Sequence, residues 1–274
     1  MHDTLEIGLL GPLRVVAKGR PVTITAPRRQ VLLAALALEV GQPVSATTLA
    51  RYLWGNALCG DTRRAVSTVV TRLRQDLGMD VIEYTAGGYL LAVPAEVVDV
   101  HRFRSLLRDA WSTDGLVRLD LLDRALACWR GEPLQTVGCD ALVAEHAPRL
   151  DEEWYVATQR RVDLMLAAGR HADLVPQLRE LTVRQPLREW LWCRLIVALY
   201  RCGRQAEALE AYHAVRQLLS DQLGVAPGPE LVAAHQAVLT HDPSVAAPAT
   251  ARRRVRPAVR RPRVRRLIRL RLPR

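Results

Sequence analysis

The chain has 274 residues, enough for about two domains, with 49% hydrophobic residues and a formal net charge of +11. That charge is local: residues 251–274 hold 12 Arg and no acid, and the 27 basic residues elsewhere meet 28 acidic ones, a net charge of −1. The composition therefore excludes collagen-like and wholly disordered chains, and the overall charge is no argument for nucleic-acid binding by the folded body.

Catalytic chemistry finds little support. Lys18 is the single lysine, so no glycine-rich turn leads into a P-loop lysine. The sequence has no G-x-S-x-G elbow, no H-E-x-x-H and no G-x-G-x-x-G. Its five cysteines (Cys59, Cys128, Cys139, Cys193 and Cys202) are widely spaced without a Cys-x-x-Cys pair, which suggests neither a disulfide framework nor a zinc site. We expect a protein that is not an enzyme, with no cofactor and no metal. No apolar run reaches the roughly 20 residues that span a bilayer, and the start "MHDTLEIGLL" has no basic n-region of a signal peptide. The expectation is a cytoplasmic protein without a membrane partner.

In chain order, "LEIGLLGPLRVVAKGRPVTIT" (5–25) predicts short strands punctuated by Gly-Pro and Lys-Gly. Pro27 opens an apolar helix, "PRRQVLLAALALEVG", with Gly41 after its end. A second helix follows in "SATTLARYLWG", with Ser45 as N-cap and Leu49, Leu53 and Trp54 at helical spacing. The third is "DTRRAVSTVVTRLRQDLG" (61–78), capped by Asp61 or Thr62, and "VIEYTAGGYLLAV" then predicts a hairpin about Gly87-Gly88. Sheet, three helices and hairpin within 98 residues is the order of a winged helix-turn-helix with an N-terminal sheet.

At 100° per residue, Val66, Val69, Val70, Leu73 and Leu77 of the third helix form one apolar face. Arg64, Thr68, Thr71 and Gln75 lie opposite, with Ser67 and Arg72 on the flanks and Arg63 beside Arg64. Such side chains suit base edges and phosphates; taken alone they suit a solvated surface helix equally. The hairpin tip "YTAGGY" has no Arg or Lys for a minor groove.

From residue 99 to 242 helical periodicity runs throughout, predicting an all-α second domain. "AAGRHADLVPQL" and "YRCGRQAEALEA" align Gly169-Arg170 with Gly203-Arg204, an offset of 34 residues and the period of tetratricopeptide helix pairs. Gly-Arg then marks a turn between helices, with Ala172, Leu174, Ala206, Ala208 and Leu209 expected at close-packing positions. Trp111, Trp129, Trp154, Trp190 and Trp192 are read as core. Residues 243–274 read as a linker and a disordered Arg-rich tail, either an arm contacting DNA phosphates or a dispensable extension.

The motifs "LGPLRV", "PRRQVLLAALAL", "LARYLWG", "VVTRLRQDLG", "GGYLLAVP" and "ALACWRGEPL", with the long run from "ALYRCGRQAEALEAYHAVRQLLSDQLG" through "VAPGPEL", resemble the Streptomyces antibiotic regulatory protein (SARP) family over residues 5–242. The resemblance implies an OmpR-type winged helix over 1–98 followed by a tetratricopeptide-like bacterial transcriptional activation domain over 99–242. It further implies an activator of antibiotic biosynthetic genes, binding direct repeats in double-stranded DNA and contacting the sigma or alpha subunits of RNA polymerase, with a homodimer on DNA as one arrangement. Neither a receiver domain nor a nucleotide-binding module is expected. Carried onto this chain, Arg63, Arg64, Ser67, Thr68, Thr71, Arg72 and Gln75, with Gly87 and Gly88 of the wing, are the positions expected to meet DNA. The alternatives are an adaptor whose winged helix is a protein interface, or a repressor of the same fold.

Overall fold

The structure is a computed structural model that describes residues 5–55 and 61–242, so Cys59 and the expected linker and Arg-rich tail lie outside the described residues. The chain divides into two compact units, 1–167 and 168 onward.

The first unit opens with an antiparallel sheet of β1 (Leu5–Gly8), β2 (Arg14–Ala17) and β3 (Arg20–Pro21). Its β2–β3 turn is Lys18-Gly19, both with positive φ, 55° and 73°. Then come α1 (Pro27–Leu38), α2 (Ala46–Trp54) and α3 (Thr62–Leu77), and a hairpin of β4 (Ile82–Thr85) and β5 (Gly88–Leu91). This is the winged helix that the sequence order predicts.

Local chemistry sets the helix ends. The Ser45 hydroxyl accepts from the Thr48 backbone N–H at 3.0 Å, satisfying one of the orphan donors at the start of α2. Replacing Ser45 with Ala should cost about 1 kcal/mol, read as a thermal midpoint lowered by roughly 2–4 °C. Asp61, rather than Thr62, caps α3 by accepting from Arg64 N at 3.1 Å. α1 is buried along its whole second half because helices and strands cover it on several sides.

The first unit continues through α4 (Asp99–Trp111), α5 (Gly115–Leu126) and the long α6 (Asp140–Ala167). One continuous core joins them to the winged helix, running from Ile7, Leu32 and Leu36 to Phe103, Leu122, Leu142 and Ala157.

The second unit contains α7 (His171–Arg184), α8 (Glu189–Arg201), α9 (Gln205–Leu223) and α10 (Pro229–Leu239). α7 packs on α8 and α8 on α9, while α10 lies against both α8 and α9. Gly169-Arg170 and Gly203-Arg204 are indeed inter-helix turns, with φ 75° and 76° at the glycines, a backbone shape that glycine adopts without strain.

Two expectations about this helical region need correction. Ala172 and Ala206 are exposed in the first turns of α7 and α9, and Leu209 is only half-buried; Leu174 and Ala208, also 34 residues apart, are the buried pair. The tryptophans are not fully buried: Trp129, Trp154, Trp190 and Trp192 are half-buried and Trp111 is 43% exposed. A ring that large covers a helix seam from its edge, as Trp129 does between Phe103 and Trp154, with ring centroids 5.6 and 6.2 Å away.

Candidate nucleic-acid interface

α3 is built as a two-faced element. Val66, Val70 and Leu73 are buried, and Val69 and Leu77 pack partly against the same core, as the periodicity predicts. On the other side Arg63, Arg64, Ser67, Thr68, Thr71, Arg72 and Gln75 are all exposed. The structure therefore brings all seven predicted α3 positions onto the solvent side of one helix, and none of them is acidic.

The threonines carry a detail that residue type does not show. Thr68 Oγ1 donates to Arg64 O at 3.0 Å and Thr71 Oγ1 donates to Ser67 O at 2.9 Å. Both hydroxyl protons are thus held within the helix.

Two arginine contacts, one an ion pair and one to a backbone carbonyl, tie α3 to its neighbours. Arg29 of α1 holds Asp76 through both carboxylate oxygens, at 2.8 and 2.5 Å, which takes the one acid in the second half of α3 into a side contact. Arg74 donates from Nε and Nη2 to Ile82 O, at 3.1 and 2.7 Å, and so ties α3 to the first strand of the wing. Sequence reasoning did not single out Arg74; its place on the flank between Val70 and Leu77 was the available signal.

The wing is a tight hairpin with Thr85 paired to Gly88 and Ala86-Gly87 as its tip. Gly87 is exposed, whereas Gly88 is buried. β5 also bridges to the segment before α2: Val44 N donates to Tyr89 O at 2.8 Å and Tyr89 N to Val44 O at 3.0 Å. Gly88 sits against this bridge with φ 131°, where a Cβ would lie 2.1 Å from Val44 O. The two glycines thus occupy different settings, one at the solvent-facing tip and one in the seam that holds the wing to α2.

In the second unit a cleft of about 310 Å³ between α8 and α10 is lined by Glu189, Trp190, Cys193, Glu230 and Leu231. Its carboxylates are already used: Glu189 accepts from Gly228 N at 2.7 Å and Glu230 from Arg194 at 2.6 Å. Burial pushes the Cys193 thiol up to about 11, which disfavours the thiolate near neutral pH. Among the described residues no His, Cys, Asp and Glu group could hold a metal, and no helix is long and apolar enough to cross a membrane.

A winged helix with a polar recognition-type helix, followed by helix pairs at a 34-residue period, defines a class of bacterial transcriptional regulators. Residues 19–91 match the family described as transcriptional regulatory protein, C terminal, and residues 98–239, over half of the chain, match the bacterial transcriptional activator domain. The regulatory protein DnrI of Streptomyces peucetius is 32% identical over 88% of this chain and 94% of its own length. The transcriptional regulator RedD of Streptomyces coelicolor is 32% identical over 89% of this chain and 73% of its own. Regulatory protein AfsR of Streptomyces coelicolor is 38% identical over 88% of this chain, which spans only 25% of AfsR. A solved structure of Mycobacterium tuberculosis EmbR, in complex with a low-affinity phosphopeptide, superposes with TM-score 0.78 at 30% identity, covering 87% of this chain and 66% of EmbR. The chain belongs to the SARP family of transcriptional regulators.

Proposed function

We propose that this regulator binds double-stranded DNA with the exposed face of α3 in the major groove and activates transcription of antibiotic biosynthetic genes from the cytoplasm. The observation that carries the reading is the sorting of α3, with Arg63, Arg64, Ser67, Thr68, Thr71, Arg72 and Gln75 exposed and Val66, Val70 and Leu73 buried. Guanidinium and amide groups on such a face reach guanine and adenine edges, and the Ser67 hydroxyl and the arginines reach phosphates. Direct repeats near one helical turn apart would place the α3 helices of two copies in adjacent major grooves on one side of the duplex. The helical region would then contact RNA polymerase through its sigma or alpha subunit. The Ala86-Gly87 tip brings no cation, so the wing contributes backbone contacts at most.

The test is a footprint of the full chain on the DNA upstream of its neighbouring genes at two salt concentrations. Protection of short repeats that survives the higher salt supports readout by α3. Arg64→Ala and Arg72→Ala should each cost about 1–3 kcal/mol, and the one that meets a base edge should relax preference at that position. Diffuse protection that neither substitution weakens would instead assign binding to charge elsewhere, and the α3 reading would be lost.

A further inference from the structure

The two halves of the first unit are joined by more than chain continuity. Asp99, the first residue of α4, is 2% exposed. Its Oδ1 accepts from Leu9 N at 2.8 Å and its Oδ2 from Leu10 N at 3.1 Å, both in the β1–β2 connection some 90 residues earlier. Arg130 Nη2 stands 3.2 Å from the same Oδ2, and Nη1 donates to Pro12 O at 2.9 Å. Backbone groups complete the seam: Arg130 N donates to Leu10 O and Leu134 N to Leu9 O, each at 2.8 Å. The strings "LGPL" and "WRGEPL" are therefore two sides of one joint. Glycines fit this joint, because a Cβ on Gly8, at the end of β1, would lie 2.2 Å from Arg130 Nη2 and one on Gly11 would meet the backbone of residues 130 and 131.

Three further contacts join the winged helix to the rest of the first unit. His101 Nε2 is 3.0 Å from Ala37 O near the end of α1. At the end of α2 the Cys139 thiol donates to Tyr52 O at 3.3 Å, and Arg51 pairs with Glu145 of α6 at 2.9 Å. The β1–β2 connection, α1 and α2 of the winged helix are thus each tied to α4–α6 or to the segment just before α6.

We propose that Asp99 is a positioning residue that locks the winged helix and α4–α6 into one body, so that α3 on DNA dictates where α4–α6 stands over the promoter. This rests on the activator reading above. A carboxylate suits the role because it satisfies two backbone donors and a guanidinium together, and charge-assisted bonds of this kind are stronger than neutral ones. With the lock closed, a partner surface on α4–α6 is presented in one orientation; with it open, the same surface samples many, and its effective concentration at the promoter falls. DNA affinity, set by α3, is left alone.

The experiment uses the full chain, comparing wild type, Asp99→Asn and Arg130→Gln for DNA affinity and for transcription by RNA polymerase from the same promoter. Amide hydrogen exchange at Leu9 and Leu10 reports whether the lock has opened. We expect both variants to keep DNA affinity within about twofold, as substitutions distant from a binding face do. Transcription should fall by about tenfold, within the range typical of coupling between two sites, with faster exchange at Leu9 and Leu10. If Asp99→Asn fails to fold, Arg130→Gln decides alone, because it leaves the buried carboxylate in place and removes only the guanidinium that holds Asp99 and Pro12 O together. Affinity and transcription falling together would reduce Asp99 to a stabiliser of the winged helix and overturn the inference. Unchanged transcription with exchange accelerated would overturn it as well. Wild-type chain that neither protects nor activates its promoter would sink the activator reading itself, a result distinct from either of these.

Discussion

Gly88→Ala is expected to lower the stability of the protein by about 3–5 kcal/mol and to displace the wing. At φ 131° an alanine is strained whatever the space around it, worth roughly 1–3 kcal/mol. Its Cβ would also stand 2.1 Å from Val44 O, a backbone atom that cannot swing aside as a side chain would. Relief requires β5 and the segment before α2 to separate, which gives up the two Val44–Tyr89 hydrogen bonds, each worth about 1 kcal/mol. A urea denaturation midpoint reads the loss. Gly87→Ala is the control: its φ is not in the left-handed region and its Cβ meets the Pro43 ring at 2.9 Å rather than backbone, so it should cost less, about 1 kcal/mol. Equal losses at the two positions would mean that the bridge to Val44 does not constrain the wing.

Phe103→Ala should cost a similar amount, about 3–5 kcal/mol, through lost burial and the cavity left behind. Phe103 is 0% exposed and meets Trp129 edge-on at 5.6 Å. It lies in α4, yet the core around it is continuous with Leu32 and Leu36 of α1. The loss should therefore appear as one cooperative transition, with amide exchange in α1 and in α4 accelerated by the same factor. Exchange that quickens in α4 while α1 stays protected would show that the winged helix and α4–α6 unfold separately.

Much of the first 98 residues is legible without coordinates, and for identifiable reasons. Caps are local: Ser45 and Asp61 sit within four residues of the N–H groups they satisfy. The two faces of α3 follow from its period, so both the buried valines and the exposed polar set fall where counting puts them. Gly169 and Gly203 announce their turns by repeating at a fixed offset. What is missed depends on distance along the chain. Asp99 reads as an ordinary acidic helix start, and only folding brings it to Leu9 and Leu10. The bridge between Val44 and Tyr89 is a single residue pair, too short to leave a strand pattern. Ala172 and Ala206 escape the pattern because small residues suit close packing anywhere on a helix, and a first turn can leave them in water.

The back-bonded threonines of α3 bear on what kind of operator this face would suit. Thr68 and Thr71 have committed their only protons to Arg64 O and Ser67 O, leaving outward a methyl group and oxygen lone pairs. Donors on the exposed face then come chiefly from Arg63, Arg64, Arg72 and Gln75, while the threonines offer apolar contact. Guanidinium groups favour guanine, and threonine methyls favour the 5-methyl of thymine. An operator read by this surface would place guanine and thymine side by side along the contacted strand, and exchanging thymine for uracil, which removes one methyl group and no hydrogen bond, would be felt at the steps facing Thr68 and Thr71.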